Sequence, residues 1–169
     1  LYDELLPRVA ALPGVRTAAL VYSVPIQGSN WNSVFVAADK PVPPRPDLPR
    51  SAFNPIGANY FETMGIRLLQ GRAFTAADRD GAAYVAVINE TLARRIWPGE
   101  NPIGKRLKQG WPEGDDPWRE VVGVVNDVKL NGLERDTPLE IYMEGDIVFR
   151  EGDRVIFAQA MYYNVALRN

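Results

Sequence analysis

Histidine and cysteine are both absent from this chain of 169 residues. The absence of histidine removes the side chain that most often acts as a general base and as a zinc ligand. The absence of cysteine removes thiol nucleophiles, thiolate metal sites and disulfide bonds. A catalytic site would therefore depend on Asp, Glu, Lys, Ser, Thr or Tyr, and the composition argues against an enzyme.

The chain also lacks a strong net charge and a long apolar run. Its 19 basic and 21 acidic residues leave a net charge of −2, so no general electrostatic attraction to nucleic acid or anionic lipid is expected. No segment approaches the roughly 20 apolar residues of a membrane-spanning helix. The first residue is Leu1 and no signal peptide is visible, so we interpret the sequence as a fragment of a longer protein. Its length suits one folded domain.

Apolar spacing and end signals predict three short helices. Asn59 and Asn89 are placed to cap the second and third, since an asparagine side chain can accept a hydrogen bond from a free amide of the first turn. Gly65 ends the second helix, and the Pro98–Gly99 pair ends the third. The predicted ranges are residues 1–12 (with a kink or a start at Pro7), 60–64 and 90–97.

Strands outnumber these helices, which predicts the α+β class with a mixed β-sheet and a strand-rich C-terminus. Tyr84–Ile88 and Trp118–Val125 are predicted as buried strands, and Val15–Val24, apolar on both faces, is predicted to lie inside a sheet. Further strands are predicted at residues 33–37, 51–56, 66–69, 106–108, 139–143, 146–150 and 154–167. Trp97 and Trp118 are expected in the core. Trp31 and Trp111 are expected in loops, as contact residues.

One segment imitates a phosphate-binding loop. Residues 99–105 match the pattern G-x-x-x-x-G-K, but the next residue is Arg106 where magnesium binding requires Ser or Thr. The segment follows a predicted helix instead of a strand, and Pro102 lacks the amide that would hold a phosphate. We therefore predict a helix stop followed by a tight turn into a strand.

Acidic side chains occur in two close pairs, Asp78 with Asp80 and Asp115 with Asp116. Calcium is bound by several oxygen ligands, and neither pair has the full spacing of a known calcium loop. Solvated acids in turns are the favoured interpretation. Glu90 precedes Arg94 by four residues, which fits a surface ion pair on a helix. A hydrolase that uses Asp78, Asp80 or Glu90 remains a minor hypothesis.

Three strings, in this order, resemble the periplasmic core domain of MacB-like and FtsX-like ABC transporter permeases, in particular the acidobacterial duplicated orphan permease type. They are Tyr60–Ile66 with Leu68–Arg72, then Val85–Arg106, then Glu120–Val128. The resemblance covers about residues 1–142. We interpret its repeated positions as scaffold, namely Tyr60, Phe61, Gly65, Gly71, Arg72, Asn89, Glu90, Trp97, Pro98, Gly99, Pro102, Gly104 and Gly123.

The resemblance implies a non-catalytic domain in the periplasm, inserted between the first two membrane helices of a bacterial inner-membrane permease. It implies a porter-like α/β part with a small β-rich lobe, and no catalytic residue, cofactor or metal. The expected role is to couple movement of the membrane helices to export or to envelope processes. The implied partners are the rest of the permease, an ABC ATPase subunit or domain, and a periplasmic adaptor or lipoprotein, with no nucleic acid.

The last residues depart from that resemblance. Residues 143–169 look more like a β-repeat of the OstA-like lipopolysaccharide-transport type, in which Gly-Asp turns such as Gly152–Asp153 join strands. We therefore predict a core domain over residues 1–142 and a β-hairpin tail over residues 143–169. The alternative function is an envelope β-protein that binds lipid or glycolipid.

Overall fold

The computed structural model describes residues 7–21, 31–78, 83–128, 137–144, 148–151, 154–157 and 160–164. The helices are α1 (residues 7–10), α2 (Tyr60–Met64) and α3 (Glu90–Ile96), with 3-10 turns at Arg45–Asp47 and Ala76–Asp78. The strands are β1 (Thr17–Val21), β2 (Trp31–Ala37), β3 (Arg50–Ile56), β4 (Leu68–Gly71), β5 (Val85–Asn89), β6 (Arg106–Gln109), β7 (Trp118–Val125), β8 (Glu140–Glu144), β9 (Val148–Glu151), β10 (Arg154–Phe157) and β11 (Ala160–Asn164).

Six strands close into a ring. Their order is β3-β2-β6-β7-β5-β8, and β8 pairs again with β3. The β5–β7 and β3–β8 pairs are parallel and the other four are antiparallel. β4 pairs with β7, β1 with β3, and β11 with β1, while β9 and β10 form a separate hairpin. The predicted α+β class, with a mixed sheet and short helices, is confirmed.

Apolar residues fill both sides of this ring. One cluster contains residues from all six ring strands, among them Phe35, Phe53 and Ile141, so it forms the interior of the ring. Leu92 in α3 and Trp97 next to α3 pack into this cluster. The second cluster lies on the outer face beneath α2 and is built around aromatic side chains: Tyr60, Phe61, Phe74 and Tyr142. Burial of these two layers is the main stabilising contribution to the fold.

Several local predictions are wrong. Trp31, expected in a loop, is the first residue of β2. Tyr84, expected in a buried strand, precedes β5 and is 60% exposed. The strand predicted at residues 66–69 begins at Leu68, because Ile66 is buried under α2 and donates its amide to the Phe61 carbonyl. Trp118 is 39% exposed and lies beneath the Lys108 ammonium, since the first residues of β7 extend beyond the covered part of the sheet. Asn59 makes no side-chain cap, because its backbone has a turn conformation.

The C-terminal strands also differ from the prediction. The single strand expected over residues 154–167 is divided into β10 and β11, of which β11 pairs antiparallel with β1. Strand β8 spans Glu140–Glu144, and the domain boundary at residue 142 stays a prediction. The expected turn at Gly152–Asp153 and the helix start over residues 1–6 lie outside the described residues.

The crossing of β4 with β7 requires two facing glycines. Gly71 has a φ of 69°, and a Cβ there would lie 2.1 Å from the Val122 carbonyl oxygen. Its partner in the register is Gly123, where a Cβ would lie 2.3 Å from the Arg72 carbonyl oxygen. Any larger side chain would separate the two backbones, which explains two of the glycines in the sequence motif.

Gly71→Ala is expected to destabilise the domain by roughly 3 kcal/mol or more, since it combines a left-handed φ with a backbone clash. Gly99→Ala is the matched control: its φ is 73°, but nothing lies within 4 Å of the added Cβ, so it should cost only about 1–2 kcal/mol. Urea unfolding followed by tryptophan fluorescence measures both. Equal losses of unfolding free energy in the two variants would show that the close approach of β4 to β7 does not require glycine at position 71.

Candidate functional site

Asn89 lies where β5 ends and α3 begins, and its side-chain amide makes four hydrogen bonds. The Oδ1 atom accepts from the amides of Leu92 and Glu140, each at 3.1 Å. The Nδ2 atom donates to Asp127 Oδ1 and to the Pro138 carbonyl, each at 2.9 Å. The side chain is fully buried, so its hydrogen-bonding capacity is met entirely by α3, β8 and the segment after β7. The predicted cap of α3 is confirmed.

Asp127 completes this arrangement from the other side. Its Oδ1 accepts from the Thr91 amide at 3.0 Å, and its Oδ2 accepts from the Thr91 hydroxyl at 2.7 Å and from Arg94 at 3.3 Å. Arg94 also pairs with Glu90 at 2.9 Å, the predicted surface ion pair. A carboxylate at the start of a helix is favoured by free amides and by the helix dipole. We call Asn89, Thr91, Arg94 and Asp127 the Asn89 cluster.

No role was predicted for Asp127, because it lies in a segment whose sequence shows neither helix nor strand periodicity. A signal was present, because Asn126 and Asp127 directly follow a buried strand, as Asn89 does. β5 and β7 are parallel, so their carboxyl ends meet at the same edge. Polar residues after two neighbouring parallel strands are therefore candidates for mutual contact.

A second polar group surrounds Trp97, which is buried as predicted. Its indole Nε1 donates to Asp39 at 3.0 Å, and Lys105 donates to Asp39 at 2.7 Å and also to Glu100. Burial alone would raise the pKa of Asp39, but the bonds from Lys105 and Trp97 outweigh it and the pKa is lowered. Lys40 pairs with Glu100 at 2.7 Å.

These contacts hold the segment that imitates a phosphate loop within the protein. Lys105 is held by two carboxylates, and the Gly104 amide donates to the Val121 carbonyl at 2.8 Å. Neither group is oriented towards a common ligand. Pro102 is buried between the end of α3 and the start of β6, so residues 97–105 form the predicted helix stop and tight turn into a strand.

The third polar group joins Arg72 and Asp78. The guanidinium makes two hydrogen bonds to the carboxylate, at 2.7 and 2.8 Å. Asp78 also accepts from the amide and the hydroxyl of Thr75, at 2.8 and 2.9 Å. The bond from Arg72, supported by Thr75, lowers the pKa of Asp78 to about 2, so this carboxylate is occupied by the protein itself.

The structure does not bring the candidate residues into one site. Asp78 pairs with Arg72 and Glu90 with Arg94, while Asp80 lies outside the described residues. Asp115 and Asp116 lie in the loop between β6 and β7. Tyr60 and Phe61 pack in α2, and Gly65 ends that helix with a φ of 66°. In the part of the chain that the structure covers, no three acidic residues are grouped to hold a metal ion.

None of the described helices has the length and apolar character needed to cross a membrane. A sequence model of the MacB-like periplasmic core domain matches residues 1–165. The chain belongs to this family. The recognition made from the three sequence strings is therefore confirmed. The match extends beyond residue 142, and the division of the chain at that position stays a prediction.

Two macrolide export ATP-binding/permease proteins named MacB are similar to part of the chain. The protein from Aggregatibacter actinomycetemcomitans is 39% identical over 78 residues, which is 46% of this chain and 11% of the relative. The protein from Mannheimia succiniciproducens is 34% identical over 87 residues, 52% of this chain and 12% of the relative. The chain thus spans about a tenth of the length of the curated relatives that it matches.

Two solved structures share the fold. The periplasmic region of MacB from Actinobacillus actinomycetemcomitans has a TM-score of 0.56 at 21% identity, over 84% of this chain and 54% of the other. The extracellular domain of the noncanonic ABC-type transporter YknZ from Gram-positive bacteria has a TM-score of 0.51 at 16% identity, over 84% of this chain and 61% of the other. Family and neighbours confirm the predicted location, in the periplasmic or extracellular part of a MacB-like membrane transporter.

Asn89→Asp is expected to destabilise the domain by roughly 3 kcal/mol, because it removes the Nδ2 donor and places a second carboxylate against Asp127. Asn101→Asp is the matched control, since exposed Asn101 uses only its Oδ1 atom, towards the Ile103 amide. The free energy of unfolding in urea measures both. A loss of unfolding free energy below about 1 kcal/mol for Asn89→Asp would show that the four hydrogen bonds of the Asn89 side chain contribute little to stability.

The Arg72–Asp78 pair predicts a loss of stability in acid. The pKa of Asp78 is lowered from 3.8 to about 2, so its contribution is present above pH 3.8 and is lost as the pH falls through 2. Allowing for solvent screening, the loss should be roughly 1–2 kcal/mol. Asp78→Asn should remove this part of the pH profile, and Asp115→Asn, in an exposed loop, should keep it. Equal profiles for both variants would refute the assignment.

Proposed function

We propose that the chain is a non-catalytic extracytoplasmic domain that couples movement of the membrane helices of an ABC transporter permease to export or to envelope processes. The observation that carries the proposal is the family match over residues 1–165. The curated relatives are ATP-binding/permease proteins by name, which supports association with membrane helices and with an ABC ATPase subunit or domain. A periplasmic adaptor or lipoprotein is the further partner that we propose.

The internal contacts fit a domain that transmits force as one body. The Asn89 cluster joins β5, α3, β8 and the segment after β7 through side-chain hydrogen bonds. Arg72 and Trp97 hold two further connections through carboxylates. In this proposal the family motif residues stiffen the domain, and the described acids serve as structural partners. The family match favours this role over the envelope lipid-binding alternative.

Coupling can be tested without knowledge of the transported molecule. The full-length permease with its ATPase, in lipid nanodiscs, carries a fluorescent dye at the exposed position Asp115→Cys, and energy transfer to acceptor lipids is measured with and without ATP. Because the domain is proposed to follow the membrane helices as one body, ATP is expected to change this energy transfer. Asn89→Asp should weaken that response, whereas Asn101→Asp should keep it.

Two outcomes would contradict the proposal. Energy transfer from the domain to the lipids that ATP leaves unchanged, while the membrane helices respond, would refute coupling. Turnover of a small molecule by the purified chain, abolished by one acidic substitution such as Glu90→Gln, would refute the non-catalytic role.

A further inference from the structure

Glu140, the first residue of β8, is a fully buried carboxyl group with an incomplete hydrogen-bond set. Its Oε2 accepts from the Tyr142 hydroxyl at 2.6 Å, and its Oε1 has no hydrogen-bond partner within the described part of the chain. Both residues are 0% exposed, and Tyr142 belongs to the apolar layer beneath α2. A buried carboxylate without a cation is unstable, whereas the neutral acid is tolerated far better.

Among the residues that the structure describes, no lysine or arginine makes a hydrogen bond or an ion pair with Glu140. Its neighbour in the β3 register is Ala52, and on the β5 side its own amide donates to Asn89 Oδ1. Neither of these neighbours titrates. The acidic and phenolic groups on the elements packed there are Tyr142 and Glu144 on β8, Asp127 after β7, and Tyr60 in α2. Arginines lie on neighbouring elements: Arg50 is exposed at the start of β3, and Arg94 of α3 pairs with Asp127 and Glu90.

Burial and the negative charge of Asp127 both favour the protonated form of Glu140. Burial raises the pKa of Glu140 from 4.5 to about 7, with a further increase from Asp127 and a smaller opposing effect from the Tyr142 hydrogen bond. The carboxyl group is therefore neutral in the folded domain under mildly acidic conditions. About half of it loses its proton near neutral pH.

We propose that Glu140 is a proton-dependent switch that controls whether β8 stays packed against the end of β5. The protonated side chain remains in the dry layer and keeps β8 against Asn89. The ionised side chain requires water or a cation, and β8 must separate from its neighbours to admit either. Since the Glu140 amide donates to Asn89 Oδ1, this separation loosens the Asn89 cluster. The inference goes beyond the proposed function and does not depend on it.

The sign of the pH effect follows from the two states. Glu140 titrates at a higher pH when folded than when unfolded, so its stabilising contribution is complete below about pH 4.5 and is lost as the pH rises through 7. The melting temperature of the chain should accordingly fall by roughly 5–10 °C between pH 5 and pH 8.

Two variants distinguish the effect of Glu140 protonation on stability from the general effect of removing a negative charge. Glu140→Gln should abolish most of the fall between pH 5 and pH 8, because the amide is a permanent neutral replacement. The matched control is Glu62→Gln, which removes an exposed carboxylate from α2 and should keep the wild-type profile. A wild-type melting temperature that does not fall over this range, or the same flattening by both variants, would overturn the proposal.

A direct titration decides the matter even if Glu140→Gln fails to fold. In protein labelled with ¹³C at the glutamate carboxyl groups, one resonance should titrate near pH 7. Tyr142→Phe should move that midpoint to higher pH, because the hydrogen bond that favours the ionised form is removed. If every glutamate carboxyl titrates near 4.5, or if Tyr142→Phe leaves the midpoint unchanged, the proposal is wrong.

Discussion

The buried amide of Asn89 is the interaction on which the described fold most depends. A primary amide has two donor hydrogens and two acceptor positions, and all four are used, towards three different parts of the chain. A buried polar group that loses a partner carries the full cost of desolvation. The four bonds are therefore expected to form and break together, which makes the start of α3, the start of β8 and Asp127 one cooperative unit.

Ring closure brings these partners together. The β5–β7 and β3–β8 pairs are parallel, so each must be joined by a long crossover instead of a hairpin. The crossover from β5 contains α3 and β6, and its first turn is held by Asn89 and Asp127. The chain thus places its polar contacts where separate segments meet, while apolar side chains fill the ring.

Local features were largely predictable from the sequence, and contacts between distant segments were not. Tyr60–Met64 and Trp118–Val125 have the predicted bounds, because capping, turn and apolar signals are encoded in neighbouring residues. The closed ring depends on the register between β3 and β8, which no local pattern contains. Trp118 was wrongly assigned to the core for the same reason, since burial depends on what covers the strand. Glu140 acquires its environment only through ring closure, so its contribution could not be predicted, whereas Asp127 had a signal in its position directly after a buried strand.

The cooperative role of Asn89 is tested most directly by native-state hydrogen exchange of the purified chain, residue by residue, in increasing denaturant. The amides of Leu92 and Glu140 share Asn89 Oδ1 as acceptor although they are 48 positions apart (140 − 92). At pH 5, where Glu140 is protonated, both amides are expected to exchange with the same opening free energy and the same denaturant dependence, equal to those of global unfolding. If Leu92 exchanges by local fraying of α3 while Glu140 remains protected, the two segments are not one unit and the account is wrong.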